Sequence, residues 1–192
     1  MKVLMTGLTG FIGHHLAKRL LQDGHEVFAI VRPTSKINEL SENLQRNVKF
    51  FAYDKDNTVL DIVTDLCIEN NRPDVVYHLA SEVIMAHHFE DINHMIQSNI
   101  TFGTELLDAM TANNVFNFVN VGTFAQHFDD AEYSPVNLYA ATKECFESII
   151  KFYAEVRGLR CIALHLFDTY GPSDKRGKIL GLLKKFQRAA KI

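Results

Sequence analysis

The chain has 192 residues, 47% of them hydrophobic, and a formal net charge of -3 from 20 basic and 23 acidic side chains. That length buries one full core, as a single domain or a domain with an appendage. The near-neutral balance, with basic residues scattered except around Lys184-Lys185, excludes the electrostatic footprint of a nucleic-acid binder or a polybasic membrane anchor, so small molecules are the expected partners.

Residues 2–5 read as a short apolar strand, and Thr6-Gly7-Leu8-Thr9-Gly10-Phe11-Ile12-Gly13 leads from it straight into a helical pattern over 14–22. A strand, a glycine triplet and a helix in that order form a pyrophosphate site. Gly7 permits the tight turn, Gly10 lets backbone N–H groups approach the phosphates, and Gly13 lets the helix pack close to the strand. The intervening Thr9, Phe11 and Ile12 belong to the same loop, whose helix N-terminus attracts an anion. Residues 26–31 (EVFAIV) form a continuous apolar run, as in a parallel strand buried on both faces. It ends at Arg32, where an NAD-binding sheet would place a carboxylate for the ribose 2′-OH. An arginine suits a 2′-phosphate instead. NADP is therefore the expected cofactor and NAD the second choice, unless Arg32 only faces solvent.

The third strand is expected at 48–53, followed by Asp54 and Lys55 as candidate cofactor contacts. Asp54 is equally readable as a solvated loop acid. A helix over 60–70 precedes a fourth strand at 75–79, whose Leu79-Ala80-Ser81 end is small enough for a cofactor to lie against. His78, inside that apolar run, reads as a core histidine bonded to backbone rather than a ligand. His87 and His88 cannot share one helix face; a solvated loop is the favoured reading, with His87 the candidate for substrate. A helical region over 91–114 carries Gly103, read as a point of close packing on the sheet. The fifth strand, 115–121, runs into Gly122-Thr123. Ser134-Pro135 reads as a helix start, with Tyr139 and Lys143 along the helix. A sixth strand covers 160–167, and an amphipathic helix is expected over 178–190.

Cys67, Cys145 and Cys161 are odd in number, widely spaced and set in apolar contexts. They read as reduced, buried thiols of a cytoplasmic protein without metal-ligand spacing. No apolar run is long enough to span a bilayer, and the N-terminus reaches Thr6-Gly7 before an h-region could form, so neither a membrane segment nor a signal peptide is expected.

Tyr139 and Lys143, four residues apart on one helix, share a face, and Thr123 ends the neighbouring strand. A free tyrosine has a pKa of about 10. A nearby ammonium favours its phenolate, so Lys143 would activate Tyr139 and also hold the nicotinamide ribose. Thr123 would donate to the substrate oxygen. The chemistry is hydride transfer between a nicotinamide and a carbonyl, with Tyr139 moving the proton.

The segments TGLTGFIG (6–13), VVYHLAS (75–81), NITFGT (99–104), NVGTFAQ (120–126), YAATK (139–143) and LFDTYGP (166–172) resemble the extended short-chain dehydrogenase/reductases, the sugar-nucleotide epimerase/dehydratase family. The resemblance implies an α/β fold, a Rossmann doubly wound parallel sheet of order 3-2-1-4-5-6. It also implies Thr123, Tyr139 and Lys143 as the catalytic trio, and Asn99 as a structural or proton-relay partner. Substrate contacts are expected at His87, Thr123, Phe124 and Asp168, and a homodimer through the helices at 91–114 and 134–157. The 4,6-dehydratases carry an Asp-Glu pair after the catalytic Thr; Phe124-Ala125 stand here, which removes their acid and base.

Within the family, 134–147 and 166–179 are similar to the 4-ketoreductases that make CDP-abequose and CDP-paratose. NADPH-dependent reduction of a CDP-linked 4-keto-6-deoxy sugar is the expected activity. An NAD-dependent 4-epimerase and a non-catalytic dinucleotide-binding module are the alternatives. Asp168 departs from the Asn common in the epimerases, and a carboxylate there would repel a substrate pyrophosphate unless neutralised. Family members continue for another hundred or more residues, so 1–172 is read as the dinucleotide domain and 173–192 as the start of a substrate region that is largely absent.

Overall fold

Six short apolar runs become six parallel strands in one sheet of order β3-β2-β1-β4-β5-β6: β1 (Lys2–Thr6), β2 (Glu26–Val31), β3 (Val48–Ala52), β4 (Val75–His78), β5 (Asn117–Thr123) and β6 (Arg160–Leu166). The computed structural model describes residues 1–172, Asp174 and Arg176. The helix expected over 178–190 lies outside the described residues. The helices are α1 (Phe11–Gln22), α2 (Glu42–Asn47), α3 (Val59–Ile68), α4 (Asp91–Ile96), α5 (Phe102–Ala112) and α6 (Leu138–Arg157).

Side-chain alternation along β1 divides the core into two layers. Leu4 points, with Phe28, Val76 and Phe118, into the layer covered by α3, α5 and α6. Val3 and Met5 point, with Val27, Ala29 and Val31, into the layer covered by α1 and α2. A strand with helices on both faces must be apolar at every position, which is why EVFAIV is legible as a strand without period-two alternation.

Several expected boundaries shift for local reasons. Helix α1 begins at Phe11, with Gly10 as its N-cap, three residues before the apolar periodicity starts. Helix α6 begins at Leu138 rather than at Ser134-Pro135, because the Asn137 side chain takes the cap and accepts the Ala140 N–H at 2.9 Å. Ser134 is instead committed to a bridge with His127. Helix α2 is not among the elements the sequence predicts: it is polar except for Leu44, whose burial in the second layer holds it. The helical region over 91–114 is interrupted by a π-helical turn, Gln97–Thr101. Gly103 packs against α6, not the sheet; a Cβ there would stand 2.5 Å from the Phe146 ring.

Candidate active site

The carboxyl ends of β1, β2 and β4 open into a cleft of about 360 Å³, bounded by Gly7, Thr9, Gly10, Arg32, Leu79, Ala80 and Ser81. Gly7 has φ +70, and a Cβ on it would lie 2.5 Å from the Ala80 nitrogen and 2.6 Å from the Leu79 carbonyl carbon. Only glycine fits there on both counts. A Cβ at Gly13 would overlap the Gly7 carbonyl oxygen and come 2.7 Å from Leu8 Cα, so Gly13 seats α1 directly on the turn. Helix α1 has no side-chain cap and no acidic residue in its first turn. Its unpaired N–H groups are thus left to an anion.

Ser81 joins this cleft to the predicted catalytic helix. It lines the cleft, it lies near enough to the Tyr139 phenol to oppose the upward push of burial on it, and it donates to Asn99 Oδ1 at 3.0 Å. Asn99 is buried in the π-helical turn and fully engaged. Its Oδ1 also accepts the Glu82 N–H at 2.7 Å, and its Nδ2 donates to the Glu82 carbonyl and to Thr142 Oγ1, both at 3.0 Å. Asn99 therefore fixes the Ser81-Glu82 segment against α6 one residue from Lys143. Thr123, at the end of β5, accepts the Ala125 N–H at 3.3 Å and keeps its own proton for a further acceptor.

A profile of the NAD dependent epimerase/dehydratase family matches residues 3–192. The chain belongs to the epimerase/dehydratase family. It is 30% identical over 193 residues to CDP-abequose synthase of Salmonella typhimurium, covering 98% of this chain and 61% of that protein. It is 28% identical to Protein CapI of Staphylococcus aureus, covering 90% of this chain and 55% of that one. Among solved structures, UDP-glucose 4-epimerase of Thermus thermophilus in complex with NAD superposes with TM-score 0.79 at 26% identity, over 97% of this chain and 61% of that one. UDP-glucuronic acid 4-epimerase of Bacillus cereus in complex with NAD gives 0.78 at 26%, over 98% and 64%. The chain thus spans somewhat more than half the length of the relatives it matches.

In this epimerase/dehydratase-family chain the glycine cradle and the uncapped α1 fit a dinucleotide. The electrostatics of Tyr139 differ from expectation. Burial pushes its phenol up, and Ser81 only opposes that shift. Lys143 is itself buried, which pushes its ammonium down to about 8 against the pull of Glu147. Its charge acts on His78.

His78 is a core residue as expected, but its Nδ1 partner is the Thr6 hydroxyl at 2.8 Å, not backbone, and its Nε2 has no partner. Burial first, then Lys143, push it down to about 3. A histidine titrating at 6.5 when unfolded and near 3 when folded contributes stability that is present above 6.5 and lost as pH falls toward 3. Each pH unit in that window costs about 1.4 kcal/mol. Denaturant melts between about pH 7 and about pH 4 should show this slope, and His78→Asn should flatten it.

Other expected residues fall elsewhere. Asp54 does not line the cleft; its carboxylate accepts the Asp56 and Asn57 N–H groups in an exposed turn. Lys55 is exposed in the same turn, and the cleft wall at this edge is Tyr53. Phe11 lies in an adjoining depression, with the Arg176 guanidinium 4.2 Å over its ring; Ile12 lines neither. His87 is exposed on the loop before α4. Phe124 stacks on Phe167 at 5.0 Å and 12°. The Arg176 guanidinium is held by Asp174 at 2.7 and 2.8 Å, and Asp168 adds only a smaller attraction to the same charge. Cys145 is exposed and Cys67 and Cys161 are half-buried rather than buried, and all three cysteines are free. No described helix is long and apolar enough to cross a membrane.

Sequence reasoning missed Ser35, Glu82 and His94. Ser35 accepts the Arg32 N–H at 3.1 Å. Glu82 Oε2 lies 3.9 Å from Arg32 Nη1 and 3.2 Å from His94 Nε2. Ser35 had a local signal in its turn sequence; Glu82 had none, since its partners come from β2 and α4.

Proposed function

We propose that the protein reduces the 4-keto group of a nucleotide-linked 4-keto-6-deoxy sugar, of the CDP-sugar type, at the expense of NADPH. The observation carrying this reading is that Ser81 lines the cleft and also acts on the Tyr139 phenol, which supports a phenol within reach of a substrate bound beside the dinucleotide. The bound dinucleotide supplies the hydride. Tyr139, kept protonated by burial, gives its proton to the ketone oxygen as charge develops there. Thr123 donates a hydrogen bond to the same oxygen. Lys143 stabilises the phenolate that remains and holds the ribose, while Asn99 keeps Ser81 in place.

Arg32 at the mouth of the cleft and the likeness to CDP-abequose synthase favour reductase over epimerase. A homodimer through the helices at 91–114 and 134–157 belongs to this proposal, and Phe152 and Val156, exposed and one turn apart on the second of them, are available to it. The test is NADPH oxidation by the whole protein with CDP-4-keto-6-deoxyglucose. Normal NADPH binding without turnover overturns the reading.

A second reading, an NAD-dependent nucleotide-sugar 4-epimerase, is favoured by the Glu82 carboxylate facing Arg32, which offsets the charge a 2′-phosphate would use. The two readings separate at these residues. If Arg32 holds a 2′-phosphate, Arg32→Ala weakens NADPH binding about 10- to 100-fold, the worth of a charge-assisted hydrogen bond, with NADH little affected. Glu82→Gln then shifts preference further toward NADPH. Fluorescence titration with both cofactors measures this, and equal loss for both dismisses the 2′-phosphate role.

A further inference from the structure

Close behind Thr123, between β5, β6 and α6, four side chains converge to which the proposed reaction assigns no step, although Glu147 is one helical turn from Lys143 and acts on its charge. Glu144 and Glu147 come from α6, His165 from β6 and His127 from the turn after β5. One ligand atom each from His127, Glu147 and His165 lie within 4.8 Å of one another. Glu144 Oε2 is 3.7 Å from His127 Nε2, and Glu147 Oε1 is 2.7 Å from His165 Nε2. We infer that this cluster is a binding site for a divalent transition-metal ion, of which zinc is the fitting class.

Three independent features support a metal over a simple pair of histidine-carboxylate contacts. His127 Nδ1 is 2.9 Å from the Glu132 carbonyl; it donates there and leaves the Nε2 lone pair aimed at the cluster, the arrangement metal-binding histidines use to orient the ring. The carboxylates are mostly buried, with side-chain exposures of 15% for Glu144 and 12% for Glu147. Their shared neutral donor is Gln126 Nε2, 3.0 Å from each. Lys143 feels Glu147, yet among the described residues no Lys or Arg comes within ion-pair distance of either carboxylate. Finally, Gly122 is what lets the cluster close. A Cβ there would stand 2.6 Å from His165 Cδ2 and 2.8 Å from both Glu147 Oε1 and Gln126 Oε1.

Mixed imidazole and carboxylate ligands suit zinc, whose tetrahedral shell places ligand atoms about 3.4 Å apart. The ligand atoms of His127, Glu147 and His165 now lie within 4.8 Å of one another, so the shell must tighten as the ion enters. The proton shared by His165 and Glu147 leaves to solvent as the metal enters. Because Gln126 Oε1 also accepts the Thr123 N–H at 2.8 Å, the ion would staple β5, β6 and α6 together directly behind Thr123.

The 192-residue chain, stripped with chelator, is titrated with Co²⁺ for visible absorption bands and with Zn²⁺ for thermal stability. The expected result is one equivalent bound at micromolar affinity or tighter, with a melting point raised by about 5 °C at hundredfold excess over the dissociation constant. His127→Gln and His165→Gln should each weaken binding at least about 100-fold, and His88→Ala should leave it intact. Circular dichroism checks that each variant is folded; should His165→Gln not fold, the partly exposed His127→Gln decides. Absence of stoichiometric binding, or binding undiminished by His127→Gln, overturns the inference.

Discussion

Replacing Tyr139 by Phe should lower kcat for keto-sugar reduction by about 10²- to 10⁴-fold, the range a positioned proton donor contributes, while the dissociation constant for NADPH changes by no more than about twofold. The asymmetry follows from the geometry. The phenol interacts with Ser81, whereas the proposed pyrophosphate cradle consists of Gly7, Gly10 and the N-terminus of α1. Phe fills the same volume, and Ser81 keeps its bond to Asn99, so the surrounding structure should hold. Pre-steady-state measurement of hydride transfer on the whole protein checks the expectation. A variant within about tenfold of the parent would remove Tyr139 as the proton donor.

The second large effect runs in opposite directions for activity and stability. Lys143→Met should abolish turnover yet raise the melting point at neutral pH. The ammonium titrates near 10.5 when unfolded and about 8 when buried, with desolvation the leading cause. The unfolded chain therefore binds more protons between those values, and folding stability rises with pH across that window. Below about pH 8 the fold carries the full net penalty of a charged lysine in the core, roughly 3 kcal/mol with the attraction of Glu147 already included. Met fills the space without that cost, and for a domain of this size the gain is several degrees. The gap between variant and parent should close as pH climbs from about 8 toward about 10.5. Thermal melts at both ends check this, and a Met variant that melts lower than the parent at neutral pH contradicts it.

The same tension explains why a functional lysine is tolerated there. Its charge acts on His78, which the core already keeps neutral. Burial holds both groups away from their ordinary states, and Lys143 is one helical turn from the predicted proton donor. The stability they forgo is offset by the packing of Phe118 and Phe146 around His78. Such local conflict is expected where chemistry, rather than folding, selects the residue.

Much of the fold was readable from residue order because its determinants are local. A parallel strand covered on both faces must be apolar throughout, so EVFAIV declared itself. A turn pressed against backbone must be glycine, so Gly7, which meets Leu79-Ala80, and Gly13, which meets Gly7 and Leu8, marked the turn at the carboxyl end of β1. Helical spacing alone put Tyr139 and Lys143 on one face. The three-dimensional structure decided whatever depended on partners distant in sequence. Helix α2 exists because Leu44 finds a core, and α6 starts at Leu138 because Asn137 takes the cap while Ser134 is committed elsewhere. Glu82 faces Arg32 across the cleft mouth, and Asp168 adds a smaller attraction to the Arg176 charge. The charge states of Tyr139, Lys143 and His78 depend on burial, which no spacing rule encodes. The cluster of His127, Glu144, Glu147 and His165 was equally invisible, because its ligands come from a turn, a helix and a strand that only the folded sheet brings together.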